Sequence, residues 1–407
     1  MKILRIIARL NVGGPARHVV WLTQALQGDG VDSKLIAGTV PEGEEDMSYF
    51  AAEHGVEPIY IREMSRELSA KDAVSLWKVL QVIRRDRPDI IHTHTAKAGT
   101  VGRAAAFIYK WFTPGTFIGR PRRVRVVHTF HGHVFHSYYG RHKTKIFVLI
   151  EKILARFATD KIIVITPQQL REIHSEVGVG REKQFEVVSL GIDLSKFDQG
   201  EEARRSFRKE FGISDETVLV GFVGRLTEIK NVPMLLRAAK VYIETGEGPA
   251  TKFIIIGDGH LRHELERLVE ELGMNETVIF AGNREDLGRV YSGLDLIALT
   301  SLNEGTPLSV IEAMASRRPV IATLVGGVVD LLGPVEQEIR GFSIRERGVG
   351  VPSGDVTTLA KGLIYLAKNG RLRFDLGNKG HQFALDNYGK ERLISDIRSL
   401  YSRLLEK

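Results

Sequence analysis

Cysteine is absent from this chain of 407 residues, which excludes disulfide bonds, thiolate metal sites and a cysteine nucleophile. Apolar runs long enough to cross a membrane are absent too. The first apolar run is interrupted by Arg5 and Arg9 and leads into the pair Gly13 and Gly14, so we expect a buried first strand there rather than a signal peptide. These absences fit a cytoplasmic protein, which is the location we expect.

Short apolar runs alternate with helical segments along nearly the whole chain. Runs such as 3–8 and 218–224 lack polar alternation, as expected of strands that are buried on both faces. Segments with helical periodicity, such as 73–86 and 261–273, separate them. The pattern predicts an α/β protein whose parallel, doubly wound sheets carry helices on both faces.

The alternation of apolar runs and helical segments is interrupted once, by the polar stretch 190–214. A chain of 407 residues also suits two domains. We therefore predict two Rossmann-like domains that face each other across a cleft. The first would comprise residues 1–195 and the second residues 196–388. Residues 389–407 look like an amphipathic helix with no strand after it.

Two glycines and two cations follow predicted strands, at the edge where open parallel sheets bind ligands. Gly13 and Gly14 allow close backbone approach, but the third glycine of a dinucleotide fingerprint and the Gly-Lys-Ser/Thr end of a P-loop are missing. A plain tight turn and a ligand loop both remain open for this stretch. Arg225 and Lys230 stand between a strand end and a helix start, which suits an anion site or, alternatively, ordinary surface charge.

The stretch "SLNEGTPLSVIEAMA" places Glu304 and Glu312 on either side of a Gly-Thr-Pro turn. Thr306 fits a helix N-cap and Pro307 the first helical position. Four backbone amides would be near a docked phosphate, those of Gly305, Thr306, Leu308 and Ser309. Carboxylates repel phosphate but accept hydrogen bonds from sugar and ribose hydroxyls. The combination predicts a nucleotide-sugar site.

Histidines cluster after two of the predicted strands. His92 and His94 lie on one face of a strand end, and four more cluster at and after the end of the next strand: His128, His131, His133 and His136. Histidine is a common metal ligand, but no carboxylate accompanies this cluster and no His-Glu-x-x-His occurs, so we expect no metal. We expect His131 to lie near the chemistry, because Gly132 lets the backbone turn there.

Positive charge is concentrated between residues 97 and 156. This stretch holds twelve basic residues and one acidic residue, Glu151, a local excess of eleven positive charges. It could contact the anionic inner face of the cell membrane, or it could be a solvated basic face. Nucleic acid is disfavoured, because no recognition module is present. The sequence makes no prediction of oligomeric state.

Several motifs resemble the retaining glycosyltransferases of family 4, which have the GT-B fold. The segments "VGRLTEIKN", "IIGDGHLR", "FAGNRED", "SLNEGTPLSVIEAMASRRPVIAT" and "GVGVPSGD" are similar to the carboxyl-terminal half of that family. "LNVGGPARHV" and "HTFHGH" are similar to its amino-terminal half. The segment 328–350 departs from the pattern by being longer and more polar.

The resemblance implies that the first domain binds the acceptor and the second binds the nucleotide sugar. It also implies a role for each matching residue. Glu304 would contact the donor sugar and Glu312 the ribose. Arg225 and Lys230 would hold the diphosphate as the glycosidic bond breaks, and the loop of Gly13 and Gly14 would approach it. His131 would hydrogen-bond the sugar. Asn283 and Arg284 would contact the base through their backbone, and the last helix would cross back onto the first domain.

The resemblance thus implies a retaining glycosyltransferase without cofactor or metal. It would move a sugar from a nucleoside diphosphate, with uracil favoured, to a glycan or lipid-linked acceptor in cell-surface polysaccharide biosynthesis. The absence of an Asp-x-Asp triplet also disfavours a donor held through a metal. Three alternatives remain: a UDP-sugar 2-epimerase of the same architecture, a non-catalytic nucleotide-sugar-binding scaffold, and a nicotinamide-dependent enzyme, which the missing glycine disfavours.

Overall fold

The computed structural model describes most of the chain, namely residues 1–11, 14–28, 30–40, 46–64, 71–131, 141–197 and 199–406. The chain divides into two compact units. The first contains Met1–Ile192 and Lys390–Lys407, and the second contains Asp193–Gly389. The sequence analysis put the boundaries after residues 195 and 388. Within the described residues, no helix has both the length and the apolarity needed to cross a membrane.

The first unit is built on a parallel seven-stranded sheet of order β3-β2-β1-β4-β5-β6-β7. Its strands are β1 (Lys2–Ile7), β2 (Asp32–Ala37), β3 (Ile59–Tyr60), β4 (Ile90–His94), β5 (Arg125–Thr129), β6 (Lys161–Val164) and β7 (Phe185–Val187). Its helices are α1 (Gly14–Ala25), α2 (Ser48–Glu53), α3 (Lys71–Asp86), α4 (Ala96–Trp111), α5 (Pro114–Phe117), α6 (Arg141–Phe157), α7 (Pro167–Leu170) and, at the end of the chain, α16 (Lys390–Leu405). The order of the strands along the chain reverses between β1 and β4, which makes their carboxyl ends the switch point of this sheet.

The helix α16 belongs to the core of the first unit. Its buried residues recur at helical spacing on one face: Leu393, Ile397, Leu400, Tyr401 and Leu404. They pack with Ile3, Leu22 and Ile90 in one apolar cluster. Burying each aliphatic side chain of this kind contributes about 1.5–3 kcal/mol. The last helix is therefore an integral part of this unit.

The second unit is built on an eight-stranded sheet of order β10-β9-β8-β11-β12-β15-β14-β13. Its strands are β8 (Val218–Val223), β9 (Thr251–Ile256), β10 (Val278–Gly282), β11 (Leu296–Leu299), β12 (Val320–Thr323), β13 (Val335–Ile339), β14 (Phe342–Arg345) and β15 (Gly348–Val351). Its helices are α8 (Gly200–Glu210), α9 (Val232–Thr245), α10 (Arg262–Glu271), α11 (Leu287–Gly293), α12 (Leu308–Ala315), α13 (Val328–Leu332), α14 (Val356–Lys368) and α15 (Gly370–Tyr388). The switch point lies between β8 and β11.

The polar segment 328–350 forms an addition to the edge of this sheet. After α13, the strands β13 and β14 make an antiparallel hairpin, and β14 pairs antiparallel with β15. The remaining strand pairs are parallel. Each unit thus has a doubly wound, Rossmann-like sheet, which confirms the predicted fold class.

Candidate functional site

The loops after β8 and β11 lie side by side at the switch point of the second unit. The first runs through a 3-10 turn, Glu228–Lys230, to Asn231, whose left-handed backbone precedes α9. The Thr300 hydroxyl donates to the carbonyl oxygens of Lys230 and Asn231, at 3.1 and 3.0 Å. The Leu302 amide donates to the carbonyl of Ile229 at 2.8 Å. These bonds fix the two loops together.

The predicted residues Lys230 and Glu304 meet across these loops. Lys230 Nζ donates to Glu304 Oε1 at 2.5 Å, and Ser301 Oγ donates to the same oxygen at 2.6 Å. The two side chains are 20% and 11% exposed, so the pair is sheltered but remains open to solvent. The arrangement presents a cation and a carboxylate at one point, which suits an anionic group and a hydroxyl bound next to each other.

Two glycines after β12 support the Glu304 loop from the other side. The Gly327 amide donates to the Glu304 carbonyl at 3.2 Å. A Cβ at Gly326, whose φ is +51°, would overlap the same carbonyl oxygen, and a Cβ at Gly327 would overlap that of Gly305. Only glycine allows this close backbone approach. The sequence analysis gave this glycine pair no role.

The helix α12 begins one residue later than predicted. Its N-cap is Pro307, with an extended backbone (ψ 115°), and its first helical residue is Leu308. The predictions of Thr306 as N-cap and Pro307 as first helical residue are therefore wrong, because the extended backbone at Pro307 delays the helix. Thr306 Oγ1 is buried and has no hydrogen-bond partner among the described residues. The amides of Leu308 and Ser309 lie in the first turn, where a helix supplies no acceptor of its own.

Glu312 is held in place by a tyrosine that the sequence analysis missed. It lies in α12, 6% exposed, and Tyr291 of α11 donates its hydroxyl hydrogen bond to Glu312 Oε2 at 2.9 Å. Burial, together with the Glu312 carboxylate, raises the pKa of Tyr291 well above its ordinary value. The phenol therefore stays protonated and orients the carboxylate. A strand-end search could not find Tyr291, because it lies inside a helix.

Arg225 differs from Lys230 in its surroundings. Its side chain is exposed, and the described residues give it no hydrogen bond or ion pair. The backbone on both sides of Arg225 contacts the loop that follows β9. The Leu226 amide donates to the Asp258 carbonyl at 2.9 Å, and a Cβ at Gly257 would overlap the carbonyl oxygen of Gly224. Arg225 thus stands on a fixed backbone, and its exposed guanidinium makes no hydrogen bond or ion pair with the described residues.

Arg284 and Asn283 follow β10, at the edge of the same sheet. The Arg284 guanidinium donates to Asp286 at 2.8 Å and to Glu210 of α8 at 2.5 Å. These carboxylates raise the pKa of Arg284 above its ordinary value. Since the side chain is committed to two carboxylates, a base could use only the backbone here. Asn283 is exposed.

In the first unit, three histidines converge at the carboxyl ends of β4 and β5. His94 Nδ1 and His131 Nε2 are 2.9 Å apart and share a hydrogen bond. The ring of His18, from α1, stands edge-on to that of His131, with 4.9 Å between centroids. One nitrogen of each ring lies within 4.8 Å of the others, so the group could hold a metal ion. The expectation of no metal stays a prediction.

Burial sets the protonation of this histidine group. It lowers the pKa of His131 to about 4 and the pKa values of His18 and His94 well below 6.5. At neutral pH the three rings are therefore neutral, and each offers both a donor and an acceptor nitrogen. Gly14 is the first residue of α1, while Gly13, Gly132, His133 and His136 lie outside the described residues.

Two other histidines are parts of the core. His92 Nδ1 lies 2.6 Å from the Tyr401 hydroxyl and His92 Nε2 lies 2.7 Å from Thr129 Oγ1. His128 Nδ1 lies 2.8 Å from Thr93 Oγ1. Both rings are fully buried, and these contacts connect β4 with β5 and with α16.

The basic stretch is less charged at its surface than its sequence predicts. Arg103 and Glu151 form a fully buried ion pair, with oxygens 2.6 and 2.7 Å from the guanidinium. Lys97 pairs with Asp72. Lys110 and Arg125 both lie near Asp160, at 3.5 and 3.6 Å. The count of eleven excess charges included Lys97, Lys110 and Arg125 but left out Asp72 and Asp160, which lie outside residues 97–156. The count is therefore higher than the charge that this stretch presents at the surface.

Both halves of the chain match known protein families. Residues 12–196 match Glycosyltransferase Family 4, and residues 203–383 match Glycosyl transferases group 1. The chain is 30% identical, over 294 residues that make up 71% of each protein, to UDP-Gal:alpha-D-GlcNAc-diphosphoundecaprenol alpha-1,3-galactosyltransferase of Escherichia coli. It is 25% identical, over 358 residues and 86% of each protein, to the capsular polysaccharide biosynthesis glycosyltransferase CapM of Staphylococcus aureus.

The fold also matches solved structures. The crystal structure of Anabaena Alr3699/HepE in complex with UDP aligns with a TM-score of 0.79 and 19% identity, over 99% of this chain and 100% of the other. At that identity the likeness concerns the fold alone. Together with the two family matches, these relatives confirm the resemblance drawn from the sequence motifs: the chain belongs to the GT-B glycosyltransferases, with a family 4 domain followed by a group 1 domain.

Proposed function

We propose that this chain is a retaining, metal-independent glycosyltransferase that uses a UDP-sugar. Its acceptor would be a glycan or a lipid-linked sugar in cell-surface polysaccharide biosynthesis. The observation that carries the proposal is the contact between Lys230 and Glu304 beside the first turn of α12, at the switch point of the second unit. The names of the relatives support the substrate classes, since one includes UDP-Gal and diphosphoundecaprenol, and Alr3699/HepE was solved with UDP.

The departing UDP develops negative charge in the transition state, and three groups are proposed to stabilise it. Lys230 would share its ammonium between Glu304 and a diphosphate oxygen. Arg225, whose side chain has no partner among the described residues, would turn onto the same diphosphate. The amides of Leu308 and Ser309, in the first turn of α12, would complete the cradle. A preorganised donor of this kind is worth about 2.7–4 kcal/mol when removed.

The two glutamates are proposed to bind hydroxyl groups. Glu304 would accept a hydrogen bond from the donor sugar while Lys230 and Ser301 hold one of its oxygens. Glu312, fixed by Tyr291 through one oxygen, would accept from the ribose with the other. A neutral His131 would hydrogen-bond the sugar, and the backbone at Asn283 would contact the base.

Retention of configuration has two routes. Attack on the face from which UDP departs would let a leaving diphosphate oxygen take the acceptor proton. A covalent glycosyl-enzyme would instead invert the centre twice. Both routes need the same charge stabilisation of UDP, so the residue roles proposed above hold for either.

The test is a thermal-shift panel with UDP, GDP, ADP and NAD in the presence of EDTA. A ligand at a hundred times its dissociation constant raises the free energy of unfolding by about 2.7 kcal/mol. We expect a shift with UDP that EDTA does not remove, and no shift with NAD. The absence of a shift with every diphosphate would overturn the donor-site proposal.

A transfer assay then separates the enzymatic alternatives. We expect a UDP-sugar to be consumed only when an acceptor is present. Rearrangement of the UDP-sugar without an acceptor would indicate the 2-epimerase instead, and binding without consumption of any donor would indicate the scaffold.

A further inference from the structure

The outer face of α6 carries an exposed row of apolar and basic residues. Seven of the described side chains of this helix are exposed: Lys145, Ile146, Leu149, Lys152, Ile153, Arg156 and Phe157. The four apolar ones, each 49–59% exposed, recur every three or four residues and therefore lie on one side of the helix. We call this set of seven residues the α6 face.

The inner side of α6 prevents the helix from burying this row. Phe147, Glu151 and Ala155 are buried beneath it. Glu151 accepts hydrogen bonds from the Arg103 guanidinium of α4 on each of its two oxygens, in a pair that solvent does not reach. Rolling the helix would break this pair, and an uncompensated buried charge costs about 3–5 kcal/mol. The α6 face therefore stays on the outside.

A second exposed group lies near the end of α6. Phe112, Phe117 and Ile118 are 71–92% exposed, and Arg120 and Arg123 follow them on the surface. We call residues 112–123 the aromatic loop. It begins where α4 ends.

Two observations put the aromatic loop at the Phe157 end of the α6 face. Lys110 Nζ, near the end of α4, lies 3.5 Å from Asp160, three residues after α6. The helices α4 and α6 follow the neighbouring parallel strands β4 and β5 and contact each other, so they run in the same direction. The aromatic loop therefore lies next to the Phe157 end of the α6 face.

The charge of this surface selects its partner. Contiguous exposed apolar rows mark interaction sites, whereas isolated exposed apolar residues are ordinary. Between residues 97 and 157 the sequence has a single acidic residue, the buried Glu151, so no carboxylate of this stretch offsets Lys145, Lys152 and Arg156 at the surface. In a symmetric dimer these cations would meet their own copies, which is unfavourable. Cations interleaved with apolar side chains suit the anionic headgroups and acyl chains of a lipid surface.

We propose that the α6 face and the aromatic loop bind the chain to a membrane that contains anionic phospholipid. The apolar side chains enter the headgroup boundary while the lysines and arginines contact phosphate. The inference deepens the proposed function, on which it rests for the lipid-linked acceptor. The helix begins ten residues after His131 and spans about 25 Å at 1.5 Å per residue, so a bilayer along it extends to the edge of the sheet that carries the histidine group.

The experiment is sedimentation of the full chain with vesicles. One set contains phosphatidylcholine alone and the other phosphatidylcholine with phosphatidylglycerol. We expect binding to the second set that weakens as salt is raised. L149E/I153E and K152E/R156E should each lower the partition coefficient at least tenfold. The matched control is F374E/L385E, which places the same substitutions on exposed apolar positions of α15, in the other unit.

Three results would overturn the proposal. The first is wild-type vesicle binding by both α6 variants, and the second is equal binding to neutral and anionic vesicles. The third is a dimer, seen by sedimentation velocity, that L149E/I153E dissociates, because the α6 face would then be a self-interface. Thermal unfolding of each variant checks that it is folded. The UDP shift of the same variants tests the donor site separately, since vesicle binding needs neither donor nor acceptor.

Discussion

Replacing Lys230 by alanine removes the cation nearest to Glu304. The ammonium lies 2.5 Å from Glu304 Oε1, so the substitution acts on folding as well as on catalysis. Glu304 keeps its bond from Ser301 at 2.6 Å and is partly exposed, so we expect the free energy of unfolding to fall by roughly 1–2 kcal/mol. A domain stability of about 5–15 kcal/mol leaves such a variant folded.

The catalytic effect is the larger one. Losing one preorganised charge at the developing UDP raises the barrier by about 3 kcal/mol, which lowers kcat by on the order of a hundredfold or more. Arg225→Ala should lose a similar factor. It should leave the stability unchanged, because the described residues give that side chain no ion pair or hydrogen bond. Comparing the two variants separates loss of charge from loss of folding.

The assay measures UDP release at saturating acceptor, together with the melting temperature of each variant. Lys240→Ala is the control, since this lysine lies in α9, after the same loop, and the described residues give it only an (i, i+4) pair with Glu244 at 3.4 Å. Such a pair contributes about 0.3–0.5 kcal/mol, and kcat should not change. A folded Lys230→Ala enzyme whose kcat stays within about threefold of wild type would have lost less than 1 kcal/mol of transition-state stabilisation, and the reasoning would be refuted.

Three further predictions concern stability. Gly326→Ala should lower both the melting temperature and the thermal shift with UDP, because its Cβ would overlap the Glu304 carbonyl. Gly354→Ala, also at positive φ but in open space, should lower the free energy of unfolding by only about 1 kcal/mol and keep the UDP shift. Equal effects of the two variants in differential scanning fluorimetry would contradict this. Arg103→Ala should lower the free energy of unfolding, measured by urea titration, by about 3–5 kcal/mol, because it leaves the buried Glu151 carboxylate unpaired. R103M/E151L should recover most of that loss. A double variant no more stable than the single one would show that the unpaired carboxylate is not the cause. Burial lowers the pKa of His131 to about 4 and the pKa values of His18 and His92 well below 6.5, so the unfolded chain binds more protons than the folded chain between pH 6.5 and pH 4. The free energy of unfolding should therefore be highest above pH 6.5 and fall as the pH drops toward 4. A free energy of unfolding that does not change with pH in urea titrations would argue against neutral buried histidines.

The architecture could be predicted from the sequence because a buried parallel strand shows as a short, continuous apolar run. The six residues of β8 are apolar or glycine and all are buried, as expected of a parallel strand between neighbours. Parallel order also puts strand ends at one edge, which is why Lys230 and Glu304 could be expected near one another across 74 residues of chain. Their direct contact depends on the neighbouring loops, which no local pattern specifies.

Three features of the second unit could not be predicted from the sequence, each for a physical reason. The hairpin strand β13 is exposed along four of its five residues, so a search for apolar runs passes over it. The cap at α12 was misplaced by one residue because Thr306 and Pro307 have the right chemistry, while only the backbone angle at Pro307 decides where the helix starts. The bond from Tyr291 to Glu312 joins two helices, and no spacing rule connects them.

The basic stretch shows a limit of a different kind. A charge count over a window includes cations that carboxylates outside the window neutralise, such as Lys97 with Asp72. It also gives equal weight to Arg103, which is buried, and to Lys152, which is on the surface. The α6 face therefore became recognisable only when the exposure and the ion pairing of each residue were known.

The measurement that tests the central claim most directly is the anomeric configuration of the transferred sugar. The enzyme would be incubated with an α-linked UDP-sugar and an acceptor in EDTA, and the product would be followed by NMR from the first turnovers. The account predicts an α-linked product, made only with acceptor and at a rate that EDTA does not change. A β-linked product, or a product that requires added metal, would contradict it.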